Sequence, residues 1–170
     1  MYGGCPFACI NAGRSQKAKV RLEEHQHLFD LLWEKAVEFM VAAREFSAVI
    51  AFEWPTRCEY WERTKVRQHM RQMQYRFIQL HGCMFGLCSV ARATKGLPIK
   101  KPWTVATDCL ELIPSLSRRC LTSDHRIPRT RDYVSHAPCA GVDTKLTKGY
   151  TDELAVQVHL GHRLHVYGRN

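Results

Sequence analysis

From Lys19 to about Arg44 apolar residues return every three or four positions. Leu28, Leu32, Ala36, Phe39, Met40 and Ala43 fall on one stripe, with Phe29, Trp33 and Val37 beside it, and this period predicts a helix packed on a sheet. The pattern then changes. Ala48-Val49-Ile50-Ala51-Phe52 is an unbroken apolar run rich in β-branched residues, which reads as a buried strand over 47–54 ending in Glu53-Trp54-Pro55. Pro55 has no amide hydrogen to continue a ladder, so the chain is expected to leave the sheet there. Glu62 to about Tyr75 predicts a basic helix with Val66, Met70 and Met73 on its apolar side. Phe77 to Leu80 alternates and predicts a second strand, with Gly82 to Leu87 as its exit. Ser89 to Pro98 reads as a basic loop, and Trp103 to Thr107 as a short third strand. Asp108 is placed to cap a helix toward Arg119, which Pro114 would break or shift. Thr151 is placed to cap a last helix with Leu154, Val158 and His162 along one side. Residues 1–17 read as a loop, and 120–149 as an irregular Cys/His-rich loop. Helix alternating with strand predicts one α/β domain over 1–170, a partial Rossmann-like sheet of three or more strands with flanking helices.

Composition narrows the class. A chain of 170 residues, 45% hydrophobic, is long enough to build a core. No apolar run approaches the roughly 18 residues of a membrane span, and Met1 to Arg14 lack the pattern of a signal peptide. The chain is therefore expected in the cytoplasm or nucleus, with no membrane partner. Its formal net charge of +9, with a pI near 9.3, favours a polyanionic partner, DNA or RNA. The excess gathers at Arg63 to Arg76, Lys95 to Lys101 and Arg118 to Arg131. In a reducing compartment the eight cysteines are thiols, metal ligands or a nucleophile, and Cys58 and Cys109 read as packing residues.

Four places could carry chemistry. Glu53 sits at the carboxyl end of the first strand, where open α/β sheets put ligand-contacting groups. Cys120, His125, His136 and Cys139 follow C-x4-H-x10-H-x2-C, two thiols and two imidazoles in a stretch with no hydrophobic period of its own. Tetrahedral zinc would supply the order such a stretch lacks, and Cys83, at a strand end, is a further candidate ligand. Cys5, in Gly3-Gly4-Cys5-Pro6-Phe7, places a thiol in a glycine-rich turn and is a candidate nucleophile. Lys100 and Lys101 beside Trp103 suit a phosphate contact with stacking on a base.

In order, these pieces resemble the C-terminal part of the catalytic core of cytosine-5 DNA methyltransferases of the phage and mobile-element type. Gly3-Gly4-Cys5-Pro6-Phe7 through Asn11 is similar to the tail of the family's nucleophile loop, Lys19 to Arg44 to its following helix, and Phe52-Glu53-Trp54-Pro55 to its Glu motif, with Trp54 where the family has Asn. Cys83-Met84-Phe85-Gly86-Leu87 and Lys100-Lys101-Pro102 resemble the next strand end and basic stretch, and Cys120 with Asp124-His125 the Cys/His loop after it. The resemblance implies that Glu53 reads a flipped cytosine, that Cys5 neighbours the nucleophile and that Lys101 contacts the backbone. The family's S-adenosylmethionine turn lies upstream of the matched region, so that cofactor is expected only where an N-terminal segment or chain supplies its site. The implied function is a divergent or truncated methyltransferase-like domain with a basic nucleic-acid-facing surface, inactive alone. The alternative is a non-enzymatic zinc-containing nucleic-acid-binding module of a mobile element.

Overall fold

The computed structural model describes residues 15–127, 131–147 and 149–168. It divides into two compact units. The first takes in the residues up to Arg76 together with Ala106–Asp108, and the second Phe77–Val105 and the residues from Cys109 on.

Helix α1 (Gln16–Glu45) opens the first unit. Ser15 caps it by accepting the Ala18 amide at 3.2 Å, so helix begins inside the expected 1–17 loop. Strand β1 (Ala51–Pro55), a 3-10 turn (Glu59–Glu62) and helix α2 (Thr64–Gln72) follow. The core joins Trp33 and Met40 of α1 to Val66 and Met70 of α2, Tyr75 and Ala106. Phe52 and Trp54, two apart on β1 and so on one face, both meet Trp33, with ring centroids 6.0 and 5.7 Å away. That contact decides which face of α1 is buried. Phe29, Trp33, Ala36, Val37 and Met40 turn inward, whereas Leu28, Leu32 and Phe39 are exposed, Phe39 at 71%. The stripe expected from sequence is therefore rotated by about one residue.

Strand β2 (Arg76–His81) leads into the second unit, and a 3-10 turn (Gly82–Phe85) follows it. Strand β3 (Pro102–Thr107) has its first residues in the second unit and its last two in the first. The strand order is β1-β3-β2. In the first unit the start of β1 meets the end of β3, where the Asp108 amide donates to the Ile50 carbonyl at 3.2 Å and the Ile50 amide to Asp108 Oδ1 at 2.7 Å. In the second, the Gly82 amide at the end of β2 donates to the Lys101 carbonyl at 2.9 Å, just before β3. Neighbours thus run antiparallel. Helix and strand are mixed as the α/β expectation requires, but the Rossmann-like order does not appear among the described residues. That order needs parallel strands whose carboxyl ends share one rim.

Asp108 does not cap a helix. Besides the Ile50 amide it pairs with Arg44 Nε at 3.2 Å, and the next helix, α3, is short (Leu112–Leu116). Pro114 is its third residue, where a missing amide hydrogen leaves no intrahelical bond unmade. The 120–149 stretch is more ordered than expected. Strands β4 (Asp124–Arg126) and β5 (Tyr133–Ser135) form an antiparallel hairpin with His125 opposite Val134, and a short helix α4 (Val142–Leu146) follows. Buried Asp143 accepts the Ser89 hydroxyl at 2.6 Å and the Val90 and Ala91 amides at 2.8 and 3.2 Å, so one carboxylate satisfies three donors of the turn at 89–91. Thr151 caps helix α5 (Asp152–Tyr167) as expected, accepting the Leu154 amide at 3.2 Å. Leu154 and Gly161 are its buried residues, while Val158 and His162 are exposed. No helix among the described residues is long and apolar enough to cross a membrane.

Candidate metal centre

The centre is assembled where β2 ends. The His81 amide donates to the Arg118 carbonyl at 3.0 Å, which draws residues 118–120 alongside the strand end. His81 Nδ1 lies 3.0 Å from the Cys120 amide nitrogen and 3.1 Å from its carbonyl oxygen, so the ring can bond the Cys120 backbone as either acceptor or donor. Burial, and then the nearby Lys100 charge, hold the His81 pKa below its ordinary value, which favours the neutral ring. Gly82 then turns the chain inward. A side chain there would bring its Cβ within 2.6 Å of Leu87 Cδ2 and 3.3 Å of the Ile99 carbonyl oxygen, so only glycine fits. The following residue, Cys83, is buried beside Cys120.

The β4–β5 hairpin contributes the other half. His125 on β4 and His136 just after β5 bring their rings to 5.8 Å, edge to face. One ligand atom from each of Cys83, Cys120, His125 and His136 lies within 4.8 Å of all the others. Ligand atoms around tetrahedral zinc are about 3.3–3.8 Å apart, given its bond lengths, so closing on an ion asks for shifts of roughly 1 Å. His136 Nδ1 donates to the Ser123 carbonyl at 2.6 Å, which leaves Nε2 with its lone pair. That Nε2, like His125 Nδ1, is buried and has no hydrogen-bond partner among the described residues. A buried polar atom left unmatched costs about 1–3 kcal/mol, and a cation at the common point would satisfy both nitrogens together. Burial, with the neighbouring Cys120 next, pushes the Cys83 thiol up to about 12. Burial and His136 hold His125 below its ordinary pKa. On binding a dication the two thiols would each lose a proton to solvent, and with two uncharged imidazoles the centre would be neutral. These Cys/His groups could hold a metal ion.

Cys139, expected from sequence as the fourth ligand, lies apart from this group, with its sulfur 3.6 Å from the Thr147 hydroxyl. Cys83 stands in its place. Two positioning groups, His81 and the Ser123 carbonyl, carry no signal in the sequence, because both act through backbone contacts that only the fold creates.

The remaining sequence candidates have other surroundings. Trp103 is 3% exposed and packs edge-on against Tyr150, so its ring cannot stack on a base. Lys101 lies over that ring at 5.4 Å and donates to the Thr147 carbonyl at 2.6 Å, while Lys100 donates to the Thr122 carbonyl at 2.9 Å. Both ammonium groups thus serve backbone oxygens of the second unit. Glu53 is half-buried in the middle of β1, in the first unit, and not at a rim shared by parallel strand ends. Cys5 lies outside the described residues. Comparison of the chain with protein-family models, with curated proteins and with solved structures finds no match.

Proposed function

We propose that this chain is a non-enzymatic, zinc-containing nucleic-acid-binding module, in which Cys83, Cys120, His125 and His136 hold a structural zinc that orders the β4–β5 hairpin. The observation that carries the reading is the convergence of one ligand atom from each of four residues within 4.8 Å, at a place where His125 and His136 each bury a ring nitrogen that has no hydrogen-bond partner among the described residues. Two thiolates and two imidazoles suit zinc, and four protein ligands leave no open position for catalysis. The hairpin has no extensive apolar face of its own. Arg126, Arg131 and Tyr133 on it are exposed, as is Arg119 just before Cys120. Guanidinium groups would contact phosphates, and the phenol ring would stack on an unpaired base. The net charge of +9 supports the same partner class.

Fluorescence anisotropy with single-stranded RNA, single-stranded DNA and duplex DNA tests this reading in zinc-loaded and chelated protein. Expected is an affinity that falls steeply between about 50 and 200 mM salt and drops on chelation, with Arg126→Ala and Arg131→Ala each lowering the salt slope by about 1. Affinity indifferent to both salt and chelator would contradict it.

A further inference from the structure

Where α5 crosses α3, a second set of ligand-type atoms comes together. Glu111 Oε2 is 3.5 Å from the Cys109 sulfur and 3.0 Å from His165 Nδ1, and all three atoms lie within 4.8 Å of one another. We infer that Cys109, Glu111 and His165 form a second divalent-cation site. Independent observations support it. The sulfur-to-oxygen separation of 3.5 Å lies within the roughly 3.2–3.8 Å edges of a tetrahedron around a zinc-sized ion, and the 3.0 Å nitrogen-to-oxygen separation need open by only a few tenths of an ångström. Charge also balances, since a thiolate, a carboxylate and a neutral imidazole carry −2 against +2, and the ion would replace the protons now shared with Glu111.

The scaffold is built to hold this approach. Gly161, one turn before His165 on the same face of α5, meets α3 so closely that a Cβ there would lie 2.6 Å from Leu112 Cδ2 and 3.2 Å from the Glu111 carbonyl oxygen. Glycine lets the helices close, and that closeness lowers His165 onto Glu111. Cys109 is held from the other side, where its carbonyl accepts the Leu112 amide at 3.3 Å. Burial is graded across the set. Cys109 is fully buried, while the His165 and Glu111 side chains keep 17% and 26% of their exposure, which gives an ion a route in. Sequence reading assigns Cys109 to packing because its partners lie two residues and 56 residues away, a spacing that no metal motif shares.

The test titrates the full chain with Zn2+ and Co2+, following stoichiometry by native mass spectrometry and Co2+ absorption. Wild type should take two equivalents. Glu111→Gln and His165→Gln, both conservative and checked for fold by circular dichroism, should each take one and keep the strong sulfur-to-cobalt band of a two-thiolate site. A wild type that takes one equivalent, lost in Glu111→Gln and kept in Cys120→Ser, would uphold this site and remove the Cys83–Cys120–His125–His136 zinc. A wild type that takes one equivalent, kept in Glu111→Gln and lost in Cys120→Ser, would overturn this site alone. Binding unaffected by both glutamine substitutions, or no binding at all, would also overturn it.

Discussion

Withdrawing zinc from the Cys83–Cys120–His125–His136 centre should lower the stability of the second unit by about 4 kcal/mol. The figure follows from loop closure. Cys83 and Cys120 are about 37 residues apart, and a cross-link at that spacing removes about 4 kcal/mol of unfolded-chain entropy at 25 °C. The shorter spans from Cys120 to His125 and His136 add less, because closure entropy grows only with the logarithm of length. Mass action sets the zinc required, since about 4 kcal/mol is reached when free ion stands near 1,000 times its dissociation constant. For a unit of this size, at 4–8 °C per kcal/mol, the midpoint should fall by roughly 15–30 °C. Circular-dichroism melts of the intact protein in excess zinc and in excess high-affinity chelator measure it, with Cys139→Ser as a control that keeps the full shift. A difference below about 5 °C, with zinc uptake verified, would refute the reasoning, because the closed loop is a property of which residues bind.

Two further outcomes concern the first unit. Trp33→Ala should cost about 3–5 kcal/mol by emptying a site lined by Phe29, Phe52, Trp54 and His69, whereas Leu32→Ala, at a position 49% exposed, should cost about 1 kcal/mol or less in denaturant titration. Equal losses would mean that α1 buries the other stripe. His69, between Trp33 and Tyr75, has its pKa lowered by burial and then by Arg44, so the fold holds it neutral. Its contribution is complete above the ordinary histidine value of about 6.5 and is lost as pH falls through that value toward the lower folded one. Acid unfolding between pH 7 and 5 should flatten in His69→Phe relative to wild type, and parallel curves would show that His69 does not titrate in that range.

Local chemistry is where the sequence speaks most clearly. Thr151 has the side-chain oxygen a helix start needs, and Pro55 ends β1 for lack of a hydrogen. Strand direction is a different matter. Alternation and β-branching look alike in parallel and antiparallel strands, so the Rossmann-like expectation rested on the order of elements, and the antiparallel pairing of β3 with both neighbours is set by tertiary packing. The stripe on α1 offered two faces about 100° apart, and the choice fell to Phe52 and Trp54 of another element. Trp103 misled for a related reason. Its basic neighbours suggested a surface, yet the buried run from Trp103 through Thr107 belongs to a strand covered on both faces. At the metal centre, three residues share a segment and were legible from their types and spacing. Cys83 is the further candidate named for its place at a strand end, and its standing in for Cys139 follows from the alignment of Cys120 against His81, a contact that no spacing announces.

The choice between Cys83 and Cys139 as the fourth ligand tests the zinc centre most directly, and zinc stoichiometry by native mass spectrometry of Cys83→Ser and Cys139→Ser reads it out. Cys83→Ser should hold one zinc fewer than the unsubstituted chain, and Cys139→Ser should hold the same number. Zinc retained without Cys83 and lost without Cys139 would contradict the centre described above.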